Sequence, residues 1–178
     1  MTYPFHQRLT HLAALVVVVA ISVFIFSIRD RAAEFERFGY AGIFAISFMA
    51  YATVVLPAPG LALIAAMGAI FSPFWVGLIA GLGAACGEIV GYMAGYSGRG
   101  LAEKTKIYMQ LVKLTNRFGL VAVFFLAAVP NPLFDLAGAA AGTLKLPVGR
   151  FFLACLAGET VKMLVFAFGG ARLQEWIR

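Results

Sequence analysis

Four ionisable side chains interrupt stretches that are otherwise apolar: Glu88, Asp135, Glu159 and Lys162. A charge at bilayer depth costs roughly 2.5–3.5 kcal/mol on insertion scales, so each position asks for a partner or a function. Glu159 and Lys162 are three residues apart and share a helix face. A local ion pair accounts for them structurally, and a place on a substrate or ion path accounts for them functionally. Glu88 is the only Asp, Glu, Lys or Arg between Tyr40 and Gly98. With no basic residue in its own stretch it is a candidate protonation switch; a hydrogen bond to Tyr92, four residues on, is the plainer account. Asp135 follows the run Pro130-Asn131-Pro132. With Asn131 as N-cap and Pro132 in the first turn, its carboxylate complements the positive end of a helix dipole, and it is equally a candidate proton or cation site.

Two proline-bracketed stretches would position these groups. Phe118 to Gly142 holds an apolar arm of about 12 residues on either side of Pro130-Asn131-Pro132, or ~18 Å per arm as helix, against ~30 Å for a bilayer core. Neither arm spans alone. Proline removes a backbone donor and clashes with the preceding turn, so the sequence predicts a helix that enters the membrane, breaks near mid-depth and returns. An echo lies upstream. Pro57-Ala58-Pro59-Gly60 resembles the proline pair, Gly68 then Pro73 repeats the spacing of Gly142 then Pro147, and Gly87-Glu88 resembles Gly158-Glu159. Each copy would hold one re-entrant hairpin and one span, a net single crossing, so the second must be inverted relative to the first. Pro57, Pro59, Gly60, Pro130 and Pro132 would act through backbone shape, and the half-helix N-termini they set would present free N–H groups to an anionic group near mid-membrane.

With 62% hydrophobic and 12% charged residues among 178, the chain falls outside soluble composition, where charge averages about 25%. It is expected to be a single all-α integral membrane domain. Leu12–Ile28 reads as an N-terminal transmembrane helix, retained because no small-x-small cleavage site follows. Residues 38–98 form the first repeat, with a hairpin over about 40–71 broken at Pro57 to Gly60, and a span over about 74–96. Gly83, Gly87, Gly91 and Gly95 recur every four residues along that span, a stripe that admits close helix packing. Residues 99–117 carry Arg99, Lys104, Lys106, Lys113 and Arg117 against Glu103 alone, and Ile107, Leu111 and Leu114 suggest an amphipathic interfacial helix. Residues 118–170 form the second, inverted repeat, with a last span at about 149–169. The positive-inside rule puts the basic loop, and with it the N-terminus, in the cytoplasm of a multi-pass inner (plasma) membrane protein.

The net charge of +6 is read as orientation and contact with anionic headgroups, with no nucleic-acid partner expected. Cys86 and Cys155 sit in apolar segments without a CxxC spacing, and His6 and His11 precede the first hydrophobic run, so neither metal nor cofactor is expected. No P-loop, GxSxG or paired catalytic aspartates occur, and the chain is not expected to be an enzyme.

Pro57-Ala58-Pro59-Gly60, the run Gly87-Glu88-x-x-Gly91-Tyr92-x-x-Gly95-x-x-Gly98-Arg99, and PNPLFDLAGAAAG followed four residues later by Pro147 resemble the DedA family of VTT-domain, or SNARE-associated Golgi, proteins. The resemblance covers about 38–170 and implies two opposed re-entrant loops. It also implies lipid transport: flipping of undecaprenyl phosphate or other lipids by bacterial members, often with the proton motive force, and phospholipid scrambling by eukaryotic ones. Three departures set this chain apart. Leu61 follows Gly60 where many members carry a glutamate, Ala127 and Leu133 stand where arginines flank the second-hairpin proline, and the chain ends without the further C-terminal helix of many members. The expected function is a flippase- or scramblase-like translocase of a lipid or lipid-linked anion, with proton coupling and homo-oligomerisation as open candidates. The alternative is a proton- or ion-coupled transporter of a small solute.

Overall fold

The computed structural model describes residues 39–52, 57–97, 105–131 and 134–177, with the backbone alone at 57–59, 135 and 177. The expected N-terminal span Leu12–Ile28, the connector that follows it, and Pro132 lie outside the described residues. Among the described residues there are seven helices and no strand: α1 (Gly39–Ala52), α2 (Pro57–Ile70), α3 (Pro73–Tyr96), α4 (Lys106–Phe118), α5 (Leu120–Ala128), α6 (Phe134–Thr143) and α7 (Val148–Ile177).

Among the described residues, α3 and α7 are the helices long and apolar enough to cross a membrane. The 24 residues of α3 extend ~36 Å, beyond the ~30 Å of a hydrocarbon core, whereas the 14 residues of α1 or of α2 reach ~21 Å. Helix α3 starts where the sequence says it should, with Pro73 in the first turn, where a missing N–H is harmless. The prolines of α2 obey the same rule, which moves the first interruption. Pro57, Pro59 and Gly60 do not break a helix but open α2, and the described part of α1 ends at Ala52. The last span is also longer than expected. Helix α7 runs on through Gly169-Gly170 to Ile177, and the polar tail from Ala171 is helical. Two adjacent glycines normally weaken a helix. Here a Cβ at Gly170 would collide with the Ala65 carbonyl, so α2 lies directly against this point and packing supports the helix.

Small residues set the assembly. The expected stripe on α3 serves two neighbours: Gly83 and Gly87 meet the α1 backbone around Phe44, Phe48 and Ala52, while Gly95 meets Ala139 of α6 and Gly91 is half-buried. A second pair, Gly77 and Gly81, meets Leu164 and Thr160 of α7. Helix α3 is thus packed between α1 and α7, with α6 toward its C-terminal end. Helix α7 has a matching position. Its Gly158 meets Phe124 and Ala128 of α5, and its far end lies on α2 through Gly68–Ala167 and Gly170–Ala65. Each long helix therefore holds one short helix from its own half of the sequence and one from the other half.

The connections are also specified locally. At the end of α6, Leu146 N–H donates to Ala141 O and Lys145 takes a positive φ of 53°, a left-handed C-terminal closure that positions Pro147 ahead of α7. Tyr92 Oη donates to Leu146 O at 2.5 Å, and Tyr108 Oη and Thr143 Oγ1 are 2.7 Å apart, tying α3, α4 and the α6 end together. Helix α4 is amphipathic, but its protein-facing stripe is Tyr108, Leu111 and Thr115, not Ile107, Leu111 and Leu114. Ile107 and Leu114 are exposed, which suits a helix lying against lipid on one side and protein on another. Gly119, at φ 58° and ψ −130°, turns α4 into α5. Side chains rarely adopt that region, so Gly119→Ala is expected to cost about 1–3 kcal/mol. A melting temperature in detergent equal to that of the wild type would show that this linker relaxes freely.

Candidate functional site

The charged residues in the middle of the two long helices are turned inward, whereas Arg150, Arg172 and Glu175 near the ends of α7 are exposed. Glu159 of α7 is fully buried, Lys162 is 4% exposed and Glu88 of α3 is 1% exposed. Lys162 Nζ lies 2.7 Å from Glu159 Oε1, the i, i+3 pair that the spacing suggested. A long lysine side chain near lipid ordinarily extends its ammonium to the interface. This one is held in the interior, with its ammonium 4.9 Å from the centre of the Tyr51 ring and 5.7 Å from that of Phe134, inside the range of cation–π attraction.

Those two rings locate the site in the fold. Tyr51 is the penultimate residue of α1, immediately before the first helix interruption, and Phe134 is the first residue of α6, immediately after the second. One ammonium from α7 thus touches the helix edges of both interruptions. Glu88 approaches from α3: a Cβ at Gly138 of α6 would stand 3.0 Å from Glu88 Oε2. The Cys155 thiol lies within the electrostatic reach of Glu88, Glu159, Lys162 and Cys86, so the three charged groups share one buried region. Around it pack Ala80, Ala84, Ala85, Ala137 and Ala141, residues small enough to admit four helices to one place.

The remaining expected residues fall differently. Asp135 belongs to the first turn of α6, one turn ahead of Gly138; its backbone is helical. Asn131, expected from sequence to cap the helix that follows it, bonds to the helix that precedes it. Its Nδ2 donates backward to Leu126 O at 2.9 Å and Val129 O at 2.8 Å, closing the end of α5. It borders an almost wholly apolar groove of about 650 Å³ between α4 and α5, with Leu114, Phe118, Val121, Phe125 and Val129, none of which belongs to the charged cluster. Pro130 is exposed beside it. Tyr51 and Phe134 were not singled out from sequence, although each flanks a proline-marked interruption that was.

Two buried carboxylates and one buried ammonium can exchange a proton, accept a cation between the carboxylates, or offer the ammonium to an anion. Each option depends on the desolvated setting, because an ion taken from water costs several kcal/mol unless it is paired. Long helices closely packed through small residues, short helices interrupted at proline, and an ionic cluster where the interruptions meet define a helical membrane protein. A family model described as the VTT domain matches residues 56–172, from the start of α2 to near the end of α7, and the chain belongs to this family.

Among curated relatives, the human vacuole membrane protein 1 is 37% identical over 65 residues, covering 36% of this chain and 16% of its own length. Two Arabidopsis thaliana proteins, vacuole membrane proteins KMS1 and KMS2, are 35% and 33% identical over 74 and 100 residues. These stretches cover 42% and 46% of this chain but 18% and 24% of the relatives. The chain therefore matches less than a quarter of the length of each. No solved structure matches it.

Proposed function

We propose that this protein moves a lipid or lipid-linked anion between membrane leaflets, without nucleotide hydrolysis and without acting as an enzyme. The observation that carries this is the meeting of both helix interruptions at one buried ammonium. A site at the junction of two interrupted helices, occluded among apolar small residues, suits a charged headgroup passing a hydrocarbon barrier. Membership of the VTT-domain family favours the same reading, as does the resemblance to lipid-transporting members.

The interrupted helices act in this scheme as re-entrant hairpins. Support comes from contacts at both ends of the first: the Tyr40 and Phe71 rings are 5.8 Å apart, and a Cβ at Gly60 would meet the Ala50 methyl at 3.8 Å. Helices α1 and α2 therefore lie side by side. The crossed packing, α1 on α3 and α5 on α7 but α2 on α7 and α6 on α3, is what two inverted copies exchanging their second short helix would produce. The protein would sit in the plasma (inner) membrane as a multi-pass protein, its N-terminus and basic α4 in the cytoplasm, with anionic lipids as partners.

Purified protein in liposomes is expected to exchange fluorescent phosphatidylglycerol between leaflets well above the protein-free rate, and to respond to an imposed pH gradient if Glu88 or Glu159 titrates during the cycle. Vesicles that accumulate a soluble solute while labelled lipids stay in place would replace the lipid reading with that of a small-solute transporter.

A further inference from the structure

We infer that Lys162 is the anion-recognition residue of this site and Glu159 its exchangeable counter-ion, so that a phosphate group takes the place of the Glu159 carboxylate on the ammonium. This assignment rests on the translocase reading and specifies the chemistry its site recognises. From Lys162 a single cation reaches both short-helix edges, through Tyr51 of α1 and Phe134 of α6. Its partner, at 2.7 Å, presents to it the same groups as a phosphate: anionic oxygens able to accept from an ammonium. Lysine is well suited to such exchange. Its ammonium is a compact point charge without the fixed fork of a guanidinium, and it can pass from one acceptor to another with little rotation.

The pair is also placed where packing alone does not call for it. Elsewhere on the same helix, close contact with neighbours is made by uncharged residues, Gly158, Thr160, Leu164, Ala167 and Gly170 among them. Buried ion pairs are commonly replaced by apolar side chains without loss of fold, so an ionic group at the junction of four helices is a feature beyond what the packing needs. Ala127 and Leu133, which flank the second interruption, bring no charge of their own, and Lys162 is the buried cation among the described residues that reaches Phe134. The side chains of Lys162 and Glu159 are 3% and 0% exposed, so a ligand reaches them only when the surrounding helices move apart.

Charge is conserved through the exchange. When a phosphodiester of charge −1 replaces the carboxylate on Lys162, Glu159 takes up one proton and the net charge of the region is unchanged. The ionisable groups around this step are Tyr51 on α1, Glu88 and Cys86 on α3 and Cys155 on α7; α6 carries Asp135 in its first turn, and α2 and α5 contain none. Anion affinity should therefore rise as pH falls, through Glu159.

The test uses the full chain in zwitterionic nanodiscs, with thermal stabilisation as the measure of binding. The probes are dihexanoyl phosphatidylglycerol, dihexanoyl phosphatidylcholine and inorganic phosphate. Wild-type protein should be stabilised by the phosphatidylglycerol, more strongly at low pH, and far less by the phosphatidylcholine. Glu159→Gln, fixed in the neutral form, should bind at least as tightly and lose the pH dependence. The folded double variant Glu159→Gln/Lys162→Gln, with a neutral hydrogen-bonded pair, should bind at least tenfold more weakly. Inorganic phosphate acting as strongly as the lipid would support the site and make free phosphate its ligand. Unchanged phosphatidylglycerol affinity in the double variant, or equal affinity of the wild type for both lipids, would overturn the assignment. Binding that follows the expected pattern in a protein that exchanges no lipid in liposomes would leave this site standing and remove the translocase reading.

Discussion

Gly87→Leu is expected to leave little folded protein. A single Cβ at this position would lie 2.6 Å from Phe48 O and 2.8 Å from Ala52 N, and both are helix backbone that has no rotamer through which to give way. Three further carbons would push α1 off α3 along the whole contact. Overpacking of this kind costs about 3 kcal/mol or more, a large part of the stability of a small domain. The consequence extends beyond α1, because Tyr51 would be carried away from Lys162 and one side of the ionic cluster would open. Two glycines supply the control. Gly42 and Gly169 have nothing near a prospective Cβ, so Gly42→Ala and Gly169→Ala should fall within about 0.5 kcal/mol of wild type. Size-exclusion profile and melting temperature in detergent measure both. A monodisperse Gly87→Leu protein with wild-type melting would mean that α1 does not rest on α3 in the membrane.

Removing the ammonium should be nearly as severe. Lys162→Met keeps the volume and apolar stem but leaves Glu159 without its cation in a site that also contains Glu88. Deleting one partner of a buried pair costs about 3–5 kcal/mol, because the remaining charge has lost both water and its counter-ion. Glu159→Gln should be milder, since the amide still accepts from Lys162 and Glu88 remains in the region to balance its charge. The double variant Glu159→Leu/Lys162→Met should recover most of the loss, as buried ion pairs replaced by apolar groups commonly do. The order Lys162→Met below Glu159→Gln below the double variant is the signature. Equal melting of Lys162→Met and wild type would show that water reaches this pair in the native state.

The legible parts of the molecule were those written in local chemistry. Pro73 and the glycine period marked α3 to within a residue, and Pro130 marked where α5 stops, since a missing donor is a property of one residue, whereas Pro57 and Pro59 were read as a break and open a helix instead. The family was legible from Gly87-Glu88 and the glycines after it. The errors arose where tertiary contact decided the outcome. Helix α7 passes Gly169-Gly170 because α2 lies against it, a fact recorded about a hundred residues away at Ala65. The α4 stripe turned by one position because Tyr108 reaches Thr143 of α6. Gly77 and Gly81 were in plain view, yet they stand two residues out of register with Gly83. Two residues are about 200° around a helix, which places them on the opposite side, so the sequence held two packing faces where one was read. Tyr51 is separated from Lys162 by more than a hundred positions, and no spacing rule reaches that far.

The crossed packing bears on how the chain is made. The small-residue face of α2, with Gly68 and Ala65, is covered by the C-terminal part of α7, which a ribosome delivers only about a hundred residues later. Until then a short apolar helix that cannot cross the bilayer has no permanent neighbour on that face, and contacts between distant segments form late. That face of α2 therefore stays uncovered until α7 has been made. Loss of α7 from Ala167 onward would uncover α2, about a hundred residues earlier in the chain.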